Sequence, residues 1–117
     1  MTFCRIGLYN FKMKRSRQFE VAIENFLNKI NVKYIHLSYR CYRCGTIINA
    51  AAKGFPDFEC YLKGKILYIE CKTGSGKLTK AQKTYKDLLI NSGADYLELH
   101  DNVDDLMQYF EKEKKRK

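Results

Sequence analysis

The stretch Gly54–Lys72, GFPDFECYLKGKILYIECK, decides how the chain is read. Two short apolar runs, Phe58–Leu62 and Ile66–Cys71, flank a Lys63-Gly64 step, the pattern of a β-hairpin. With Lys63 and Gly64 as the loop, Leu62 pairs with Lys65, and the register carried outward sets Asp57 opposite Glu70. Glu70 and Lys72 are two residues apart on one strand, so they share a face. Two carboxylates and an ammonium at one point of an otherwise apolar sheet add little stability, since an exposed ion pair is worth ~0–1 kcal/mol. They suit a hard cation and a phosphate, because Mg²⁺ takes carboxylate oxygens and keeps several waters. A salt-bridged hairpin surface is the plain structural reading of the same three residues.

Outward from the hairpin, a helix is expected over Ser16–Ile30, where Phe19, Ile23, Phe26, Leu27 and Ile30 recur at helical spacing. Glu20 borders that apolar stripe, while Glu24 lies further round toward solvent. Val32–Tyr39 reads as one strand, rich in β-branched and aromatic residues. Residues 40–53 read either as a strand with a loop or as a loop over a site. After a Gly- and Lys-rich turn, Thr79 and Gln82 fit a capping box, with Ala81, Tyr85, Leu88 and Leu89 as the buried stripe and Gly93 as the stop. A strand at Asp95–His100 and a last helix capped by Asp101 or Asn102 and running through Phe110 complete the order. The expected fold class is α/β: helix, three strands, helix, strand, with a mixed sheet flanked by helices and an extra C-terminal helix. With 117 residues, 45% of them hydrophobic, the chain makes a single domain over 1–117, with residues 1–14 as an arm and 111–117 as a charged tail.

The net charge of +9 is unevenly spread. Up to Lys86 there are 17 Lys and Arg against five acids, a balance of +12. Such a surface points to a polyanion, most simply nucleic acid. Arg15 and Arg17 at the first helix, Arg40, Arg43 and Lys53 before the Asp57 motif, and Lys77 and Lys80 in the Gly-rich turn are the candidate phosphate contacts. A solvated charged face is the alternative for each residue taken singly. The 72–77 run KTGSGK lacks the glycine spacing and the trailing Ser/Thr of a Walker A loop. Five cysteines, an odd count, with Cys60 and Cys71 inside strands, suit reduced thiols. No signal peptide and no apolar run near the ~20 residues of a membrane span are visible, so a cytoplasmic protein with no membrane partner is expected. Cys41 and Cys44 have zinc-knuckle spacing, and Cys4 and His36 would have to complete the site. A lone pair of this kind favours no zinc.

Gly54-Phe55-Pro56-Asp57, then Ile69-Glu70-Cys71-Lys72, then Gln82 on a helix after a Lys-rich turn, resembles the PD-(D/E)XK nuclease superfamily. Within it, the chain is most similar to the small stand-alone, phage-type form of the VRR-NUC family, whose members act like Holliday junction resolvases. The resemblance spans about residues 16–100. It implies a Mg²⁺- or Mn²⁺-dependent endonuclease hydrolysing DNA phosphodiesters, acting as a homodimer on branched DNA such as four-way junctions. It further implies Asp57 and Glu70 as metal ligands, the Cys71 backbone carbonyl as a third, Lys72 as catalytic lysine and Gln82 as the active-site helix residue. A first-helix glutamate completes the set, and Glu20 is chosen over Glu24 because it borders the buried face. Gln82 carries two readings, helix cap and catalytic residue, which are hard to satisfy with one side chain. The rival functions are a nicking, flap or end-processing nuclease of the same fold, and a basic nucleic-acid-binding module without activity.

Overall fold

The hairpin forms in the register that the Lys63-Gly64 loop dictates. In the computed structural model, which describes residues 15–40, 47–49 and 51–115, strands β4 (Phe58–Leu62) and β5 (Lys65–Lys72) pair antiparallel from Leu62↔Lys65 to Phe58↔Ile69. Around them stand α1 (Arg15–Lys29), β1 (Lys33–His36), β2 (Ser38–Arg40), β3 (Ile47–Asn49), α2 (Lys80–Asn91), β6 (Asp95–His100) and α3 (Asp104–Lys115). The main sheet runs β1-β4-β5-β6, with β6 parallel to β5 and the other pairs antiparallel. β2 and β3 form a separate two-stranded ribbon. The result is an α/β fold with a four-stranded mixed sheet flanked by helices. No helix of the described residues is long and apolar enough to cross a membrane.

The core lies on one face of the sheet. Phe19, Ile23 and Leu27, one helical turn apart on α1, are buried against Phe58, Cys60, Leu67, Ile69 and Leu99, with Leu106 of α3. Each such aliphatic or aromatic side chain contributes about 1.5–3 kcal/mol when fully buried. α1 ends at Asn31, which takes φ +60° while the Val32 N–H reaches back to the Leu27 carbonyl at 3.0 Å. α2 ends similarly at Gly93, where the Ala94 N–H donates to the Leu89 carbonyl at 3.1 Å.

Three expectations are corrected. The Val32–Tyr39 strand is two strands, broken at Leu37, whose N–H donates to the Asp57 carbonyl at 2.7 Å. The next partner for Ser38 in that ladder would be Pro56, which has no N–H, so the chain leaves the sheet and pairs with β3 instead. The α2 stripe is not buried: Leu88 is 56% exposed, and Ala81, Tyr85 and Leu89 are only half-buried. α2 covers the polar face of the sheet, which offers Glu70, Lys72 and Glu98 rather than a deep apolar seat. The last helix continues past Phe110 to Lys115, into the segment expected to be a loose tail. Its end is held by Lys65, whose ammonium lies 2.9 Å from Glu113 and 3.0 Å from Asp95.

Gly54 docks the approach to the hairpin onto α2. It adopts φ +90°, and a Cβ there would come within 2.7 Å of the Ala81 Cβ and 2.8 Å of its carbonyl carbon. The next residue, Phe55, sits edge-on to both Tyr68 and Tyr85. Gly54→Ala is therefore expected to cost roughly 2–4 kcal/mol, combining left-handed backbone strain with overpacking. Urea unfolding measures this, and a loss below ~0.5 kcal/mol, as for an ordinary surface change, would contradict the close docking.

Candidate active site

Four of the residues singled out in the sequence meet at the open end of the hairpin. Asp57 precedes β4, and its Oδ2 accepts the Cys71 N–H at 2.7 Å, so the carboxylate is clamped to β5 one residue from Glu70. Two main-chain bonds hold it from either side: Asp57 N–H to the Ile69 carbonyl at 3.0 Å, and the Leu37 N–H to its own carbonyl. Strand alternation turns Glu70 and Lys72 toward α2 and Cys71 toward α1. Among the described residues, Asp57 and Glu70 are the two buried charged ones, at 9% and 2% exposure.

Gln82 caps α2 and reaches Lys72 and Glu70 with the same side chain. Its Oε1 accepts the Thr79 N–H at 2.9 Å while the Thr79 hydroxyl accepts the Gln82 N–H at 3.2 Å, a complete capping box. The same Oε1 accepts from the Lys72 ammonium at 2.7 Å, and Nε2 donates to Glu70 Oε2 at 3.2 Å. Oε1 has two lone pairs, and the amide has a donor on its other arm. The cap that starts α2 therefore orients both site residues of β5. The expectation of a conflict counted one bond per side chain.

The electrostatics are dominated by Glu70. Burial and then the adjoining Asp57 charge push its carboxyl up to about 9, against the opposing pull of Lys72. Its Oε1 is buried without a hydrogen-bond partner among the described residues. A carboxylate pair of this kind keeps a proton or takes a cation. The donor set fits a hard divalent cation, which one or two carboxylates and a phosphate suffice to hold. Among the described residues, no group of three or more His, Cys, Asp or Glu converges as a ready-made metal cage.

Glu20 approaches from α1. Its charge and that of Asp57 both act on the Cys71 thiol, which burial first of all holds well above its ordinary pKa. Glu24 is not turned to open solvent as expected. Its Oε2 accepts from His36 Nδ1 at 2.9 Å, because His36 sits at the end of β1, directly under α1. Arg17 lies 3.7 Å from Glu20 and 4.0 Å from Glu24. Lys53, Lys77 and Lys80 are exposed, and the Gly54–Ala81 contact brings the Lys53 turn to the start of α2, where the other two stand. Arg15 opens α1 and Arg40 ends β2. Arg43, Cys41, Cys44, Cys4 and the 1–14 arm lie outside the described residues. His36, the remaining zinc candidate, is engaged by the carboxylates of α1.

Sequence reasoning missed Tyr96, Glu98 and His100. In the parallel β5–β6 register they stand beside Tyr68, Glu70 and Lys72 in turn. The Glu98 charge adds to the upward shift of Glu70, and Glu98 is itself bonded to His100 at 2.7 Å. Tyr96 is raised by burial and then by Glu70, Glu98 and Asp57. The alternation in DYLELH carried the signal for a shared face, but a parallel register set through a helical crossover is not written in any turn. Comparison of the chain with protein-family models, curated proteins and solved structures finds no match.

The raised Glu70 carboxyl makes a stability prediction. The unfolded carboxyl loses its proton near 4.5 and the folded one near 9, so between these values the fold binds more protons and loses stability as pH rises. Metal-free protein should melt at progressively lower temperature from pH 5 to pH 9, and Glu70→Gln should remove much of that slope and be the more stable at pH 8. Parallel melting curves for the two proteins across that range would contradict the assignment.

Proposed function

We propose that this chain is a divalent-metal-dependent endonuclease of the PD-(D/E)XK superfamily, in its VRR-NUC family, that hydrolyses phosphodiester bonds of branched DNA. The observation carrying this reading is the convergence of Asp57, Glu70, Lys72 and Gln82 from three separated stretches onto one buried corner beside exposed lysines. Stability alone offers no reason to press Asp57 against Glu70. When bound, Mg²⁺ or Mn²⁺ would supply a Lewis acid for the scissile phosphate and lower the pKa of the attacking water.

In this reading Asp57 and Glu70 hold the ion, with the Cys71 carbonyl and Glu20 as further oxygen donors. Lys72, its ammonium fixed by Gln82, neutralises charge developing on the phosphate oxygens. Gln82 spaces Lys72 from Glu70, so that the ammonium serves the phosphate rather than closing a salt bridge. Lys53, Lys77 and Lys80, with Arg15, Arg40 and Arg43, hold the DNA backbone by charge. A homodimer provides the two active sites that paired cuts across a junction need. The free thiols of Cys60 and Cys71 suit a reducing cytoplasm.

The test compares wild type, Glu70→Ala and Lys72→Ala on labelled four-way junction, flap, duplex and single-stranded DNA, with Mg²⁺ and with EDTA. Paired, Mg²⁺-dependent cuts near the junction centre are expected. Each variant should lose about 10²-fold or more in rate while still binding the DNA. Cleavage favouring flaps or ends would replace the junction specificity. No cleavage of any substrate, with Mg²⁺ or Mn²⁺, would leave a basic DNA-binding module.

A further inference from the structure

The run from Lys72 to Thr79 borders the candidate site, and both of its ends are tied to Gln82. Lys72 Nζ donates to Gln82 Oε1 at 2.7 Å, and the Thr79 N–H donates to the same oxygen at 2.9 Å. Between these anchors Thr73–Gly76 makes a tight turn, closed by the Gly76 N–H on the Thr73 carbonyl at 3.1 Å. Gly74 takes φ +58° in it, a conformation open to glycine at no steric cost. The turn folds back along Lys72: a Cβ at Gly76 would lie 3.7 Å from Lys72 Cδ. Lys77, which is exposed, follows at once.

Asp101 holds this turn from the neighbouring strand. It comes directly after β6, and its N–H donates to the Lys72 carbonyl at 3.0 Å. Its Oδ2 accepts the Gly74 N–H at 2.7 Å, a short bond to a carboxylate. To make both bonds Asp101 adopts φ +60°, the left-handed region that most side chains avoid. The start of α3 does not explain that conformation, because Asn102 Oδ1 accepts the Asp104 N–H there at 2.9 Å. Charge does not explain the carboxylate either. Beside a lysine-bearing loop, an acid opposes the approach of a polyanion.

We infer that Asp101 is a positioning residue that pre-forms the Thr73–Gly76 turn, so that Lys77 meets a DNA phosphate from a fixed loop. The inference rests on the proposed reading of Lys77 as a backbone contact of a DNA-binding chain. A loop already in its bound shape loses less freedom on binding, and affinity rises accordingly. The carboxylate thus favours DNA binding through the loop while opposing it by charge. These two effects have opposite signs, so they can be told apart.

The test follows binding of labelled four-way junction and duplex DNA to the full chain by fluorescence anisotropy, with EDTA present. Asp101→Gly removes the carboxylate and keeps the left-handed backbone without strain. Asp101→Asn drops the charge and keeps an acceptor oxygen at the same reach. Asp101→Gly should raise Kd about 3–10-fold, although it deletes a negative charge from a basic surface, and Asp101→Asn should bind at least as tightly as wild type. In a Lys77→Ala background, Asp101→Gly should cost little more, since both act through one contact. A Kd unchanged or lowered in Asp101→Gly, or losses that add in full, would overturn the positioning role and leave the DNA-binding reading standing. If Asp101→Gly does not fold, hydrogen exchange of the Gly74 amide in wild type decides: protection supports the clamp, and exchange at the rate of an open loop amide overturns it. Absence of DNA binding by wild type would overturn the nucleic-acid reading, and the role of Asp101 with it.

Discussion

Two carboxyl groups, Asp57 and Glu70, are pressed together where the hairpin opens, and the surrounding structure is arranged to keep them there. Asp57 is tied by its carboxylate to the Cys71 N–H and by its main chain to Ile69 and Leu37. Glu70 is nearly sealed from water and shares its carboxylate with Gln82. Removing two charges from water and placing them side by side is unfavourable unless a proton or a cation is supplied. Burial and the adjoining Asp57 charge accordingly push the Glu70 carboxyl upward. A fold selected for stability alone would place an apolar pair here, as it does one residue along, where Phe58 faces Ile69.

The same constraint explains why α2 is shallow. Its N-terminal cap must deliver Gln82 to Lys72 and Glu70, so the helix lies over the polar face of the sheet and leaves Leu88 in solvent. Docking comes instead from the close approach of Gly54 to Ala81 and from the aromatic contacts of Phe55 with Tyr68 and Tyr85. Helix cap, hairpin approach and site are thus one unit. A change in any of them reaches the other two.

Much of this was legible from residues alone, and the reasons are local. A Lys-Gly loop sets the hairpin register, so Asp57 opposite Glu70 followed from counting. Helical spacing placed Phe19, Ile23 and Leu27 in the core, and Thr79 with Gln82 marked the start of α2. What failed to show depends on contacts between distant segments. Pro56 ends the β1 ladder from across the sheet, so Val32–Tyr39 looked continuous. Leu88 belongs to a regular apolar stripe, but the face it meets is polar. Glu24 looked solvent-facing because helix periodicity does not reveal that His36 will be beneath it. Tyr96 and Glu98 join the site through a parallel register that no turn encodes.

The central claim is that the Asp57–Glu70 pair holds a proton when metal-free and exchanges it for a divalent cation. The most direct measurement is the number of protons released on Mn²⁺ binding at pH 7.5, read by titration calorimetry in buffers of different ionisation enthalpy. The account predicts release approaching one proton per ion, since Glu70 is still protonated below about 9. It also predicts that this release vanishes in Glu70→Gln. Binding with no proton released would show that the pair is already ionised, and that burial at the hairpin does not create the demand for a cation argued here.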